Sequence, residues 1–227
     1  MKRGFDILFA LFALAVSLPF ILLAALGIKL SSPGPVFYRA IRAGRGGAPF
    51  AMLKLRTMHD APQGAVITAE NDPRIFRLGN LLRKLKIDEL PQFLNVLSGD
   101  MSVVGPRPED PKIVAQHYTD WMHETLSVRP GLTSPGAIFY YAYGDRLIDP
   151  ADPEGTYVAR MLAPKLAIER AYLDRATLVG DLRVILGTVA AVIGQAMGRP
   201  LHLSARNRQG AEAWCPAEAF PDKKPAR

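Results

Sequence analysis

The apolar positions of this chain fall into a few long blocks, and the first of them dominates the pattern. From Ile7 to Leu26 only Ser17 and Pro19 are not apolar, and a helix of that length reaches roughly 30 Å, the thickness of a bilayer's hydrocarbon core. Residues 1–30 are therefore expected to form a membrane helix. Lys2 and Arg3 give it the basic start of a secretory leader, but the run is longer than a leader's apolar core and no small-x-small cleavage site follows. Positive charge flanks both ends, with Lys2 and Arg3 before the run and Lys29, Arg39, Arg42 and Arg45 after it, so the positive-inside preference draws both flanks to the cytoplasm. Pro19 removes a backbone donor and Ser17 is able to bond a freed carbonyl, which makes a bend near these two residues physically reasonable. The residues alone leave two readings open, a kinked spanning anchor and a helix that enters and leaves by one face.

Beyond the helix, the breaker Ser31-Ser32-Pro33-Gly34-Pro35 is followed by Val36-Phe37-Tyr38, a turn around Gly44, Gly46 and Gly47, and then Phe50-Ala51-Met52-Leu53. Two short strands about a glycine turn predict a β-hairpin. The Gly-x-Gly-Gly piece is too short and wrongly placed for a dinucleotide fingerprint. Asp72-Pro73 opens a segment in which Ile75, Leu78, Leu82 and Leu85 recur at helical spacing among Arg74, Arg77, Arg83, Lys84 and Lys86. Such a basic amphipathic helix suits either an anionic membrane surface or a protein core with a solvated face. Val184 to Met197 is apolar but short for a span, and reads as a buried or interfacial helix. The tail, residues 199–227, lacks periodicity and is expected to be a loose surface appendage. The resulting division is 1–30, 31–198 and 199–227, with no internal repeat.

Composition narrows the class. The 227 residues are 49% apolar and 22% charged, which excludes a disordered or fibrous chain. Cys215 is the single cysteine, so there is no internal disulfide and no zinc-type ligand spacing, and any metal should be oxygen-bound. With 28 Lys+Arg against 21 Asp+Glu, the net charge of +7 points to an anionic partner: nucleic acid, acidic headgroups or a phosphorylated substrate. No aromatic-interleaved basic stripe supports nucleic acid.

Asp88 and Glu89 are adjacent, and successive helical side chains diverge by about 100°, so the two carboxylates have different tasks. Leu90 precedes Pro91 and should leave the helical basin, which places a helix start nearby, where a carboxylate is stabilised in its ionised form. That suits a nucleophile or a metal ligand; an N-cap followed by a first-turn charge is the plainer alternative. Arg107 stands between Pro106 and Pro108, a restricted position for a phosphate-binding guanidinium. Arg83 and Arg129 can add positive charge or serve as surface ion-pair partners. Carboxylates with arginines suggest magnesium and a phosphate ester. His59, His117, His123 and His202 show no catalytic spacing.

These residues resemble the bacterial sugar transferases, the monotopic phosphoglycosyl transferases, from Lys2 to about Thr188. The resemblance is carried by Lys2-Arg3 with Asp6, Ser32-Pro33-Gly34-Pro35-Val36-Phe37-Tyr38-Arg39, Lys54-Leu55-Arg56-Thr57-Met58 and Asp72-Pro73-Arg74. It is strongest in Leu82-Arg83-Lys84, Asp88-Glu89-Leu90-Pro91-Gln92 and the run from Asn95 to Pro108. It implies an α+β, mainly helical fold: a re-entrant membrane helix bent at Ser17 and Pro19, a small β-hairpin and amphipathic interfacial helices forming a catalytic domain on the cytoplasmic face of the bacterial inner membrane. It implies transfer of a sugar 1-phosphate from a nucleoside diphosphate sugar, a UDP-sugar, to a polyprenyl phosphate such as undecaprenyl phosphate, releasing UMP, as the first membrane step of a bacterial glycan pathway. Asp88 would be the nucleophile and a ligand of Mg2+, Glu89 its assistant, and Arg83, Arg107, Arg129 and Arg146 would bind phosphate or nucleotide. Two departures stand out: Leu18 occupies the place of a usual serine, and Ser134-Pro135-Gly136-Ala137-Ile138-Phe139-Tyr140-Tyr141 replaces the family's segment after Thr133.

Overall fold

In the computed structural model, residues 1–59, 72–199, 208 and 210–221 are described. Helix α1 runs unbroken over Lys2–Ser31 with Pro19 inside it. The carbonyl that Pro19 deprives of a donor is that of Ala15, four residues back; Ser17 Oγ instead donates to the Leu14 carbonyl at 3.4 Å. Ser17 therefore does not repair the gap in the way its proximity to Pro19 suggested. The buried residues of α1 are Asp6, Ala10, Ser17, Ile21, Ala24 and Ile28, a stripe at helical spacing that lies against the rest of the protein. Both ends are tied down. Arg3 donates to the carbonyls of Val96 (2.6 Å) and Leu97 (3.0 Å), and Asp6 accepts from Ser102 Oγ and the Val103 amide. At the other end, buried Arg56 donates to the Ser32 and Pro35 carbonyls and to Ser32 Oγ.

The expected hairpin is present. Strands β1 (Phe37–Ala43) and β2 (Pro49–Leu55) pair antiparallel from Phe37 opposite Leu55 to Ala43 opposite Pro49, and the turn uses left-handed glycines at Gly46 and Gly47. Helix α2 (Arg77–Lys84) follows. It is shorter than the apolar spacing suggested: Ile75 lies outside it, in a bridge to Met58. Leu82 faces the core, whereas Leu81 and Leu85 are exposed. Helix α3 (Gln92–Ser98) leads into β3 (Ser102–Val104), α4 (Pro111–His117), α5 (Asp120–His123) and β4 (Gly131–Thr133). Strands β3 and β4 form a second, parallel sheet, Ser102 opposite Gly131 and Val104 opposite Thr133. The chain crosses itself so closely just beyond them that a Cβ on Gly131 would lie 2.2 Å from the Gly105 amide nitrogen.

Helices α6 (Pro135–Leu147), α7 (Pro153–Thr156), α8 (Ala163–Leu173) and α9 (Leu178–Ala196) complete the body. The architecture is mainly helical with two small sheets, as the α+β expectation had it. Helix α9 starts earlier than its apolar run, and its buried Asp181 pairs with the Lys2 ammonium (2.6 Å) and accepts from the Tyr172 hydroxyl (2.6 Å). Among the described residues α1 and α9 are the two helices long and apolar enough to cross a membrane. The tail is not loose throughout. In residues 210–221, Ala211, Cys215 and Phe220 are buried, and the Arg170 guanidinium lies 4.7 Å from the Trp214 ring. Residues 200–207, 209 and 222–227 of the tail, His202 included, lie outside the described residues.

Candidate active site

Asp88 and Glu89 lie on a single helical turn, Ile87–Glu89, entered through Lys86 at φ 55°, ψ 21°. Lys86 is the one non-glycine with positive φ among the described residues, a conformation that side chains other than glycine rarely hold without compensation. Leu90 stays in the helical basin (φ −55°, ψ −35°), against the expectation set by Pro91, and so does Pro91 itself (φ −60°, ψ −17°). Packing of Leu90 against two core clusters overrides the local steric preference. Neither carboxylate caps a helix. Because the backbone remains helical, Asp88 and Gln92 share a face, while Glu89 points about 100° away.

Each carboxylate therefore meets different company. Glu89 receives the Arg107 fork, Nη2 to Oε1 at 2.6 Å and Nη1 to Oε2 at 3.1 Å, and the Lys54 ammonium from β2 at 3.1 Å. Burial pushes its carboxyl up, but Arg107 and Lys54 outweigh burial and hold it well below the carboxylate range. Asp88 is also buried, and its Oδ1 has no hydrogen-bond partner among the described residues. Burial raises its carboxyl; Lys54 opposes the rise, Glu89 adds to it, and the net result is upward. A helix N-terminus does not supply the ionisation expected from the sequence. Gln92, fully buried, likewise leaves Oε1 and Nε2 unpartnered. Three orphaned polar atoms on one face cost free energy unless a ligand meets them.

Arg107 is held through its backbone as well. Its amide, the lone donor between two prolines, donates to Glu169 Oε2 at 2.9 Å and Oε1 at 3.2 Å. Ser134 Oγ also donates to Glu169 (2.9 Å). Burial pushes the Glu169 carboxyl up to about 7, against the opposing charge of Lys165. Behind it, Lys165 bonds Glu109 at 2.6 Å, and the Tyr157 hydroxyl also donates to Glu109.

Arg83 is half-buried, and its charge acts on Asp88. Arg129 is elsewhere: exposed, bonded to the Gly99 carbonyl (2.7 Å), it lines a cavity of about 610 Å3 with Arg45 and Arg170 that does not include Asp88. Arg146, exposed in the last turn of α6, has no contact joining it to Asp88, Glu89 or Arg107. In the sequence, Lys54 and Gln92 stand out only as members of family motifs, with no role assigned, and Glu169 does not stand out. Glu169 follows the apolar run Leu166-Ala167-Ile168 and precedes Arg170, so its sequence context gives no clue to its burial.

Among the described residues no three His, Cys, Asp or Glu side chains converge on a metal-sized point. An all-protein cage is therefore not offered, but one free, buried carboxylate oxygen beside a saturated second carboxylate fits a magnesium ion that completes its shell with phosphate and water.

The profile of the bacterial sugar transferases matches residues 1–195. A UDP-glucose:undecaprenyl-phosphate glucose-1-phosphate transferase of Caulobacter vibrioides is 39% identical over 201 residues, 85% of this chain and 69% of that protein. The exopolysaccharide production protein PSS of Rhizobium leguminosarum bv. phaseoli is 37% identical over 206 residues, 87% and 98% of the two chains. A UDP-N-acetylgalactosamine-undecaprenyl-phosphate N-acetylgalactosaminephosphotransferase of Aeromonas hydrophila is 36% identical over 199 residues, 85% of this chain and 44% of that larger protein. With the paired carboxylates, the Arg107 fork and the apolar α1 all inside the matched region, the chain belongs to the bacterial sugar transferase family and is an enzyme of the phosphoglycosyl transferase class.

Proposed function

We propose that this enzyme transfers a sugar 1-phosphate from a UDP-sugar to undecaprenyl phosphate through a covalent intermediate on Asp88. The observation that carries the reading is the contrast between neighbours: Glu89 is saturated by two cations, whereas Asp88 Oδ1 is buried and unpartnered. A nucleophile needs a free lone pair, and Asp88 has one. Its carboxylate oxygen attacks the sugar-bearing phosphorus, the bond from that phosphorus to the bridging oxygen breaks, and UMP leaves with the electron pair. An oxygen of the lipid phosphate then attacks the same phosphorus and expels Asp88, restoring the carboxylate. Splitting one displacement into two lowers the individual barriers. Arg83, and the N–H groups of Arg107 not engaged by Glu89, stabilise charge that spreads over the phosphoryl oxygens. Glu89 fixes that guanidinium and keeps Lys54 charged nearby. Asp88 would hold Mg2+, which when bound offsets the negative charge of the diphosphate.

The same reading places α1 as a re-entrant helix with the catalytic body on the cytoplasmic face. It is supported by Arg3 and Asp6 at one end and Gly27 and Ile28 at the other packing on a single body, since a straight span would carry its ends to opposite sides. The exposed residues of α1, among them Leu8, Phe12, Leu22 and Leu23, form an apolar face suited to lipid.

The test is UMP release from purified protein supplied with magnesium, undecaprenyl phosphate and a panel of UDP-sugars. One sugar should support release, and Asp88→Asn should abolish it together with the phosphosugar adduct seen by mass spectrometry of the denatured protein. Undiminished turnover by the Asn variant removes Asp88 from the chemistry.

A further inference from the structure

A second cavity, of about 280 Å3, lies between α1, α3, α6 and α9. Phe9, Phe93, Val103, Leu132, Ile185 and Val192 make its walls apolar. The two threonine hydroxyls it meets, Thr133 and Thr188, are bonded to each other, so they present no free polar atom. Three lining residues are different in kind: Lys86, Glu89 and Tyr141. Glu89 is already neutralised by Lys54 and Arg107. Lys86 has no carboxylate partner among the described residues, and its ammonium lies 4.4 Å from the centre of the Tyr141 ring. Its backbone is held left-handed, a conformation that carries a cost for a non-glycine residue. Val189 and Ile193, also in its lining, are half-exposed apolar residues of α9.

An apolar cavity with Lys86 in its lining and exposed apolar residues of α9, Val189 and Ile193, on its wall fits a single-chain lipid phosphate. We infer that this cavity is the acceptor slot: the first prenyl units of the polyprenyl phosphate lie between α1 and α9, and Lys86 pairs with the phosphate. Lys86 is two residues from Asp88, and Glu89, the neighbour of Asp88, lines the same cavity, which would bring the acceptor oxygen beside the phosphorus it must attack. This assignment rests on the function proposed above and names its second substrate site. An isoprenoid chain, rather than the paired acyl chains of a phospholipid, is the occupant to which the single slot and the single cation commit the reading.

The full chain, reconstituted in nanodiscs, supplies the test. Val189→Trp fills the slot from a half-exposed position where added bulk leaves the core untouched, and Lys86→Met removes the cation while keeping an apolar stem. Each should raise the KM for undecaprenyl phosphate about tenfold or more, the size expected for losing one charge-assisted contact or the chain's burial, while the KM for the UDP-sugar stays as in wild type. Leu182→Trp, on α9 but outside the cavity, should change neither. Binding of fluorescent farnesyl phosphate without any donor is the independent readout: wild type binds, Val189→Trp does not, and dioleoyl phosphatidic acid competes poorly. Unchanged acceptor KM and unchanged farnesyl phosphate binding in both cavity variants overturn the assignment, as does equal competition by phosphatidic acid. Absence of transfer by wild type that still binds farnesyl phosphate through this slot would instead reject the proposed reaction and leave the lipid site standing.

Discussion

The bond between Glu89 and Arg107 permits a sharp test of how the site is built. Glu89→Gln leaves the shape of the side chain and removes its charge, so the Arg107 fork and the Lys54 ammonium both lose their counter-ion. Breaking a buried pair by deleting one member costs ~3–5 kcal/mol, because the survivor stays desolvated. Arg107 and Lys54 each keep about a fifth of their side-chain surface exposed (20% and 21%), which places the expected loss near the lower end, ~3 kcal/mol. For a chain of this size that is a fall in melting temperature of about 6–12 °C. The sign with pH follows from the direction of the shift. Because the folded Glu89 carboxyl sits well below its ordinary value of 4.5, its stabilisation is complete above that pH and fades as pH falls toward the folded value. Wild type and variant should therefore converge in acid. Removing the charge also withdraws one cause of the upward shift at Asp88, so the acid limb of the pH–rate profile should move to lower pH in whatever activity remains. The assay is a double-mutant cycle with Arg107→Met, by thermal melting in one detergent. A coupling of about 2–3 kcal/mol is expected. Additive losses, or an acid limb displaced upward, would refute the reasoning.

Three further outcomes follow from single contacts. Glu169 titrates near 7 in the folded protein against an ordinary 4.5, so the native state holds that proton more tightly and stability should decline by ~3 kcal/mol as pH rises across this interval; Glu169→Gln should flatten the melting temperature between about pH 4.5 and 7.5. Gly131→Ala would place a methyl 2.2 Å from the Gly105 nitrogen and 2.3 Å from its oxygen, and should abolish the folded protein, whereas Gly46→Ala, in open space at φ 67°, should cost only ~1–2 kcal/mol by denaturation. Ala10→Leu, at a fully buried position of α1, should destabilise by ~1–3 kcal/mol through overpacking, while Leu23→Ala on the exposed face should leave the melting temperature in place.

What the sequence disclosed, and what it hid, divides along the range of the interactions. The hairpin was legible because its determinants are neighbours: two apolar stretches and the glycines between them. Asp88 and Glu89 drew attention for the same reason. The β3–β4 sheet was not legible, since strands as short as Ser102–Val104 and Gly131–Thr133 show no alternation to read. Leu90 obeyed the core rather than its following proline. Helix α9 begins before the apolar run at Val184, and its early residue Asp181 pairs with Lys2, far away in the chain. The different environments of Asp88 and Glu89 depend on Lys54, Arg107 and Glu169 arriving from three other elements, and spacing along the chain carries no trace of that convergence.

Helix α1 shows where a different reading of the same letters would have gone further. Hydropathy sees a uniform apolar rod, yet the rod is sorted by size. Ala10, Ser17 and Ala24 lie on the buried stripe with Asp6, Ile21 and Ile28, whereas Leu8, Phe12, Phe20, Leu22, Leu23 and Leu26 are exposed. Small side chains allow a helix backbone to approach its neighbour closely, and in a membrane, where lipid is as apolar as leucine, that closeness replaces the hydrophobic effect as the cause of docking. Lipid gains nothing by taking Phe12 or Leu22 from the protein, and the protein gains contact area by meeting Ala10 and Ala24. The helix thus has two apolar faces with separate partners, and the small one joins it to the body that carries Asp88. The candidate site and the exposed apolar face of α1 are then parts of one body, because Arg3, Asp6 and Ala10 hold α1 to α3 and β3, the elements that flank Asp88 and the Arg107 loop.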